Sequence, residues 1–198
     1  GRFTIRKKED ADRLKNYLDN TKLAAEDQHV VIVGGGLLGL ELAAALKHKK
    51  VKITIIQRAS RLMERQLDRI SSKLLAEEVQ LRDIQIYFDN EVSTVFETDN
   101  PNEIEIALKS GRIITANAIV YTIGTVPNIE LAKEAGILCG RGVKVNQYLQ
   151  SSNPNVFAIG EIAEFNNQLF GITSAAEEQA DILANFLAGD ISSFYRGS

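Results

Sequence analysis

Hydrophobic and polar positions follow two periods along this chain. Glu9–Leu23 sets Ala11, Leu14 and Leu18, with Tyr17 beside them, on one face at helical spacing. After the linker AAEDQ, His29–Val33 is an unbroken apolar, β-branched run, the pattern of a strand buried on both faces. Gly34–Gly39 turns the chain. Leu40–Lys49 is then Ala/Leu-rich and ends in lysines, as the helix dipole favours, and Val51–Ile56 reads as a second strand. Strand, glycine turn, helix and strand in this order make a βαβ unit with a right-handed connection.

Further on, Arg69–Leu81 reads as a helix with Asp68 as N-cap and with Ile70, Leu74, Leu75 and Val79 facing inward. Ile84–Phe88 is a third strand. The period then shortens: Val92–Glu97, Ile104–Leu108 and Arg112–Thr115 are short strands joined by DNPNE and KSGR, which predicts an antiparallel meander inserted in a parallel fold. Ala118–Ile123 is apolar and ends at Gly124. Asn128–Ala135 reads as a short helix stopped by Gly136, Val156–Ile159 as a strand before Gly160, and Ser174–Leu187 as a last helix stopped by Gly189. The expected fold is α/β: a three-layer, Rossmann-like domain over residues 26–125 with an antiparallel β-meander insertion.

Composition narrows the chemistry. With 23 basic and 26 acidic residues the net charge is −3, which argues against a nucleic-acid partner. The hydrophobic share of 44% and charged share of 25% are those of a globular chain rather than a disordered one. A single cysteine, Cys139, excludes an internal disulfide, a CxxC pair and a cysteine-cluster site; it reads as a half-buried thiol. His29 and His48 lack metal-ligand spacing, so no metal site is expected. Val30–Leu46 resembles a membrane span in hydropathy, but Glu41 and three adjacent glycines interrupt it, and no membrane partner is expected. No signal peptide is visible in GRFTIRKKED, and the expected location is cytoplasmic.

The chemistry-bearing motif is Gly34-Gly35-Gly36-Leu37-Leu38-Gly39, a G-x-G-x-x-G between a strand and a helix. In such a turn the first glycine permits the bend, the second lets a pyrophosphate approach the backbone, and the third lets helix and strand pack closely. Free N–H groups at the helix start then bind the phosphates. The bland alternative is a glycine-rich turn without a ligand. The acidic residue that usually holds the adenosine ribose at the end of the second strand is here Gln57, which can bond a hydroxyl but does not repel a 2′-phosphate. Arg58 beside it and Arg61 nearby either attract such a phosphate or are solvated surface arginines, so NAD(H) and NADP(H) are both admissible.

The order of segments resembles the flavin-dependent pyridine nucleotide–disulfide oxidoreductases. GGGLLGLELAAAL is similar to that family's NAD(P)H site, RLMERQLD to the loop after its second strand, TIGTVPN to its segment returning to the flavin domain, and NPNVFAIGEIAEF to its second flavin motif. With Glu161 where most members carry Asp, the likeness is greatest to the NAD(P)H-dependent nitrite reductase branch, in the N-terminal half of its large subunit. The resemblance implies an NAD(P)H-binding electron-input domain that passes hydride to FAD, with electrons leaving for downstream redox centres or domains of a longer parent. It also implies that residues 1–25 are a connector or part of the flavin domain and 126–198 the C-terminal part of a flavin-domain segment. The family's first G-x-G-x-x-G, for the FAD adenosine, is missing here, so the chain is expected to be an excised part, inactive alone.

By the same resemblance, Glu41 orients the nicotinamide, the backbone of Val92 lies near the adenine, and Gly124 lets cofactor approach. Gly160, Glu161 and Ile162 hold the flavin ribityl and pyrophosphate, with Glu161 accepting a hydroxyl. Bland readings stand beside these: a surface glutamate at 41, a core valine at 92, a turn glycine at 124. Two other functions stay open. One is a rubredoxin or ferredoxin reductase or NADH oxidase of the same family. The other is a non-catalytic NAD(H)-sensing module. Nothing in the sequence sets the oligomeric state, and a homodimer stays open.

Overall fold

The computed structural model describes residues 1–124 and 126–197. Thr125, inside TIGTVPN and at the expected domain boundary, and Ser198 lie outside the described residues. The chain forms two compact units, Gly1–Gly124 and Thr125–Ser198.

The first unit runs β1 (Arg2–Thr4), α1 (Lys8–Asn20), β2 (His29–Val33), α2 (Leu37–His48), β3 (Lys52–Ile56), α3 (Arg69–Leu81), β4 (Ile84–Tyr87), β5 (Val92–Glu97), β6 (Ile104–Leu108), β7 (Ile113–Ala116) and β8 (Ala118–Tyr121). Five strands make a parallel sheet in the order β1-β8-β2-β3-β4. Alternation along each strand sends side chains to opposite faces. Val30, Ile32, Ile53, Ile55, Ala118 and Val120 pack in one core with Leu14 and Leu18 of α1, Ala43 and Leu46 of α2 and Val79 of α3. Val31, Val33, Ile56 and Ile119 pack in another with Ile104, Ile106, Leu108, Ile114 and Ala116 of the antiparallel sheet β5-β6-β7. The three layers are therefore helices, parallel sheet and meander, the meander standing where a doubly wound fold places helices on its second face.

Residues 1–25 lie in the first unit: β1 is an edge strand paired with β8, and α1 covers the core. Two expectations for this unit need correction. Helix α2 begins at Leu37, not Leu40, because Gly39 fits inside it. Helix α3 has the expected limits, and Asp68 caps it by accepting from the Ser71 N–H at 2.7 Å, but Ile70 and Leu74 point outward, 74% and 61% exposed. The inward stripe is Ser72, Leu75, Ala76 and Val79. Ser72 can be buried because its hydroxyl donates to the Leu62 carbonyl at 2.5 Å, which settles the helix phase against the more apolar stripe.

The second unit holds α4 (Glu130–Glu134), β9 (Val143–Lys144), β10 (Ala163–Phe165), β11 (Gln168–Leu169) and α5 (Thr173–Leu187), with a sheet ordered β11-β10-β9. Ile129, Ile137, Val143, Ala158 and Ala163 form one core cluster, and Leu149, Phe165, Ile182 and Tyr195 another. Val156–Ile159 is not a ladder strand. It makes one bridge, Phe157 to Gln150, and closes on the preceding turn through Ser151 N–H to Val156 O and Ala158 N–H to Leu149 O.

Candidate dinucleotide-binding site

In the parallel sheet β2 lies between β3, which follows it through α2, and β8, which arrives from the meander. Strand order reverses there, and ligands of open α/β sheets bind at the carboxyl ends of such a pair. That end carries the glycine turn. Gly34 has φ +117°, and its N–H donates to Ile56 O at 2.9 Å. Thr122, just past β8, donates its N–H to Val33 O (2.9 Å) and sets its hydroxyl 3.0 Å from Val33 O and 3.2 Å from Gly34 O.

Each glycine meets a different constraint. A Cβ on Gly39 would lie 2.0 Å from Gly34 O, so helix and turn pack only because it is absent. A Cβ on Gly35 would lie 2.4 Å from Leu62 Cδ2. At Gly36, which caps α2, nothing lies within 4 Å of that position. Protein packing thus does not demand a glycine at 36, and the space beside its backbone is open. The first turn of α2 carries N–H groups that the helix does not itself use, next to this opening and at the positive end of the dipole. A pyrophosphate fits that cradle.

The loop after β3 holds the turn from beneath. Gln57 is 8% exposed; its Oε1 accepts from Gly35 N–H at 2.8 Å and its Nε2 donates to Arg61 O at 3.1 Å. Met63 N–H donates to Gly35 O at 3.0 Å. Leu62 and Met63 are apolar side chains that carry no chemistry of their own in the sequence; their signal there is the segment RLMERQLD, similar to the family's loop after its second strand. Arg58 is exposed. Arg61 is half-buried and donates to Glu64 O at 2.9 Å. Near Arg58, Glu91 bonds Lys109, and that bond first, then the charges of Lys109 and Arg58, hold its carboxyl below the usual range.

Glu41 sits in the second turn of α2, exposed, so its charge carries no burial cost. Val92 is half-buried against the second core, at a register shift of β5. Gly124 has φ +85°, is exposed, and has no atom within 4 Å of an added Cβ.

In the second unit Gly160 takes φ +76° and opens the single turn Gly160–Ile162. Its N–H donates to Gln179 Oε1 at 2.7 Å. Gln179 of α5 is fully buried, and its Nε2 has no hydrogen-bond partner among the described residues. Glu161 is exposed and Ile162 half-buried. An exposed carboxylate beside a left-handed glycine, with an unused buried donor on the residue clamping that glycine, fits a polyhydroxylated, phosphate-bearing group such as FAD. Cys139 is half-buried, its Sγ 3.4 Å from Ile137 O. Among the described residues no cluster of three His, Cys, Asp or Glu has the arrangement of a metal site, and no helix is long and apolar enough to cross a membrane.

Residues 1–180 match the family model described as pyridine nucleotide-disulphide oxidoreductase. The chain belongs to this family. Among its relatives, the assimilatory nitrate reductase electron transfer subunit of Bacillus subtilis is 33% identical over 198 residues, covering 100% of this chain and 25% of its own length. The nitrite reductase [NAD(P)H] of the same organism is 34% identical over 181 residues, covering 90% of this chain and 22% of its own. The chain thus spans about a quarter of these curated relatives. The fold is that of the ferredoxin reductase for the CYP199A2 system from Rhodopseudomonas palustris, with a TM-score of 0.87, 24% identity, and coverage of 98% of this chain and 48% of that one.

Proposed function

We propose that the chain is the NAD(P)H-binding, electron-input part of an FAD-dependent oxidoreductase that serves nitrite reduction. The observation that carries this is the open cradle at Gly36 on the switch-point edge of a parallel sheet. The Bacillus subtilis relative named nitrite reductase [NAD(P)H] supports the choice of pathway end, and the one named assimilatory nitrate reductase electron transfer subunit supports the electron-input role.

In this reading Gly34–Gly39 and the first N–H groups of α2 take the pyrophosphate, and the missing Cβ at Gly36 admits it to the backbone. Glu41 orients the nicotinamide carboxamide. Gly124 keeps a strip of backbone open to cofactor. Glu161 accepts a ribityl hydroxyl, Gly160 and Ile162 border it, and Gln179 holds Gly160 in place. Flavin, when bound, supplies the change from two-electron donor to one-electron acceptors; these residues bind and orient.

Calorimetric titration with NADH and, separately, NADPH tests the proposal. Saturable binding that Gly36→Val abolishes is the expected result. Undiminished binding in that variant would refute the assignment of the site.

A further inference from the structure

At the end of β3, where a dinucleotide site ordinarily offers a carboxylate to the ribose, this chain has an amide whose two ends are both engaged. Gln57 Oε1 accepts from Gly35 N–H and its Nε2 donates to Arg61 O. Its backbone is engaged as well: the N–H donates to Tyr87 O at 2.9 Å, and the carbonyl accepts from Asn90 N–H at 3.2 Å. Since Met63 N–H donates to Gly35 O, both polar groups of Gly35 are held by residues 57–63. A carboxylate would keep the bond from Gly35 N–H but lose the one to Arg61 O, because it only accepts and would place an anion against that carbonyl. One side chain joins turn and loop only if it both accepts and donates.

Resting on the reading of this turn as a dinucleotide site, we propose that Gln57 is a positioning residue that braces the phosphate-binding turn, and that the site accepts NADH and NADPH alike. The amide leaves no negative charge beside the 2′ position. The exposed guanidinium of Arg58, next in sequence, is the cation available to a 2′-phosphate, and the neighbouring Glu91 is already bonded to Lys109. Bracing and loss of discrimination therefore follow from one residue type at one position.

Two measurements on the chain test this. The first needs no ligand. Amide exchange at Gly35, followed by NMR, should accelerate about tenfold or more in Gln57→Leu and stay near wild type in Gln57→Glu, which keeps an acceptor. Unchanged exchange in Gln57→Leu overturns the bracing role. The second is titration with each dinucleotide. Wild-type affinities should agree within about fivefold; Gln57→Glu should weaken NADPH about tenfold or more relative to NADH, and Arg58→Ala should weaken NADPH alone. A wild-type preference for NADH above about thirtyfold, or NADPH binding indifferent to both variants, overturns the cofactor half. Binding of neither dinucleotide would overturn that half together with the reading it rests on, while Gly35 exchange still decides the brace. Should Gln57→Leu not fold, Gln57→Asn, whose shorter amide cannot span both partners, replaces it in the exchange measurement.

Discussion

Gly36 and Gly39 are three residues apart in one motif, and the structure assigns them opposite costs. At Gly36 the backbone is extended (φ −85°, ψ −175°), a conformation open to any residue, and an added Cβ meets nothing within 4 Å. Replacing glycine by alanine at a helix N-cap costs roughly 0.5–1 kcal/mol, while the lower entropy of the unfolded chain returns about 0.4–1 kcal/mol. Gly36→Ala should therefore unfold within about 0.5 kcal/mol of wild type. Its methyl would nevertheless occupy the space through which a pyrophosphate reaches the backbone. Loss of one charge-assisted hydrogen bond, about 1.5–3 kcal/mol, corresponds to a loss of affinity of about 10- to 150-fold. At Gly39 the added Cβ would sit 2.0 Å from Gly34 O and 2.8 Å from Thr122 Oγ1, so backbone must move. That strain should exceed the helix-propensity gain of about 1 kcal/mol and leave Gly39→Ala roughly 1–3 kcal/mol less stable. Urea unfolding by circular dichroism and calorimetric titration with NADH read both quantities. A Gly36→Ala protein that binds NADH within threefold (about 0.65 kcal/mol) of wild type would refute the cradle argument. One destabilised by more than about 2 kcal/mol would show that the opening is not open.

Other expectations are more local. Ile70→Ala, on the outward face of α3, should change stability by less than about 0.5 kcal/mol, whereas Leu62→Ala, fully buried against Gly35, should cost about 2–5 kcal/mol; similar losses from both would return Ile70 to the core. Burial lowers the pKa of His29 from the ordinary value of 6.5, opposed by the contact of its Nδ1 with Thr115 O at 2.8 Å, while its Nε2 lies 2.9 Å from Thr54 Oγ1. The unfolded chain then binds the extra proton first, so this contribution is complete above about pH 6.5 and is lost as pH falls toward the folded pKa. The urea midpoint should drop between pH 7.5 and 5.5, and His29→Gln should flatten that drop; an equal drop in the variant would assign it elsewhere. Gln179→Leu should speed exchange of the Gly160 amide about tenfold, measured by NMR, and no change would mean that this bond does not hold the turn.

Much of the first unit was legible because its signals are local. A β-branched run, glycines at fixed spacing in a six-residue turn and an Asp before a helix act through neighbours in the chain, and His29–Val33 and Arg69–Leu81 have the same limits in sequence and structure. The meander could be read for the same reason: KSGR and DNPNE are turns, and turns impose antiparallel pairing on the strands beside them. Glu41, Val92, Gly124 and Gly160–Ile162 could be placed on elements, but only the resemblance assigned them roles.

What the sequence determined by itself is therefore the order of elements, the glycine turn between strand and helix, and the family, all carried by spacing along the chain. Tertiary structure alone decided three things. It chose the stripe through Ser72 over that through Ile70 as the inward face of α3, because a hydroxyl bonded to Leu62 O can be buried and an apolar stripe with nothing to cover it cannot be used. It drew Arg2–Thr4 into the parallel sheet through the pairing of β1 with β8, with Arg2 opposite Ile119. And it turned Gln57 inward, because the two partners that satisfy its amide, Gly35 N–H and Arg61 O, come together only once strand, turn and loop have packed.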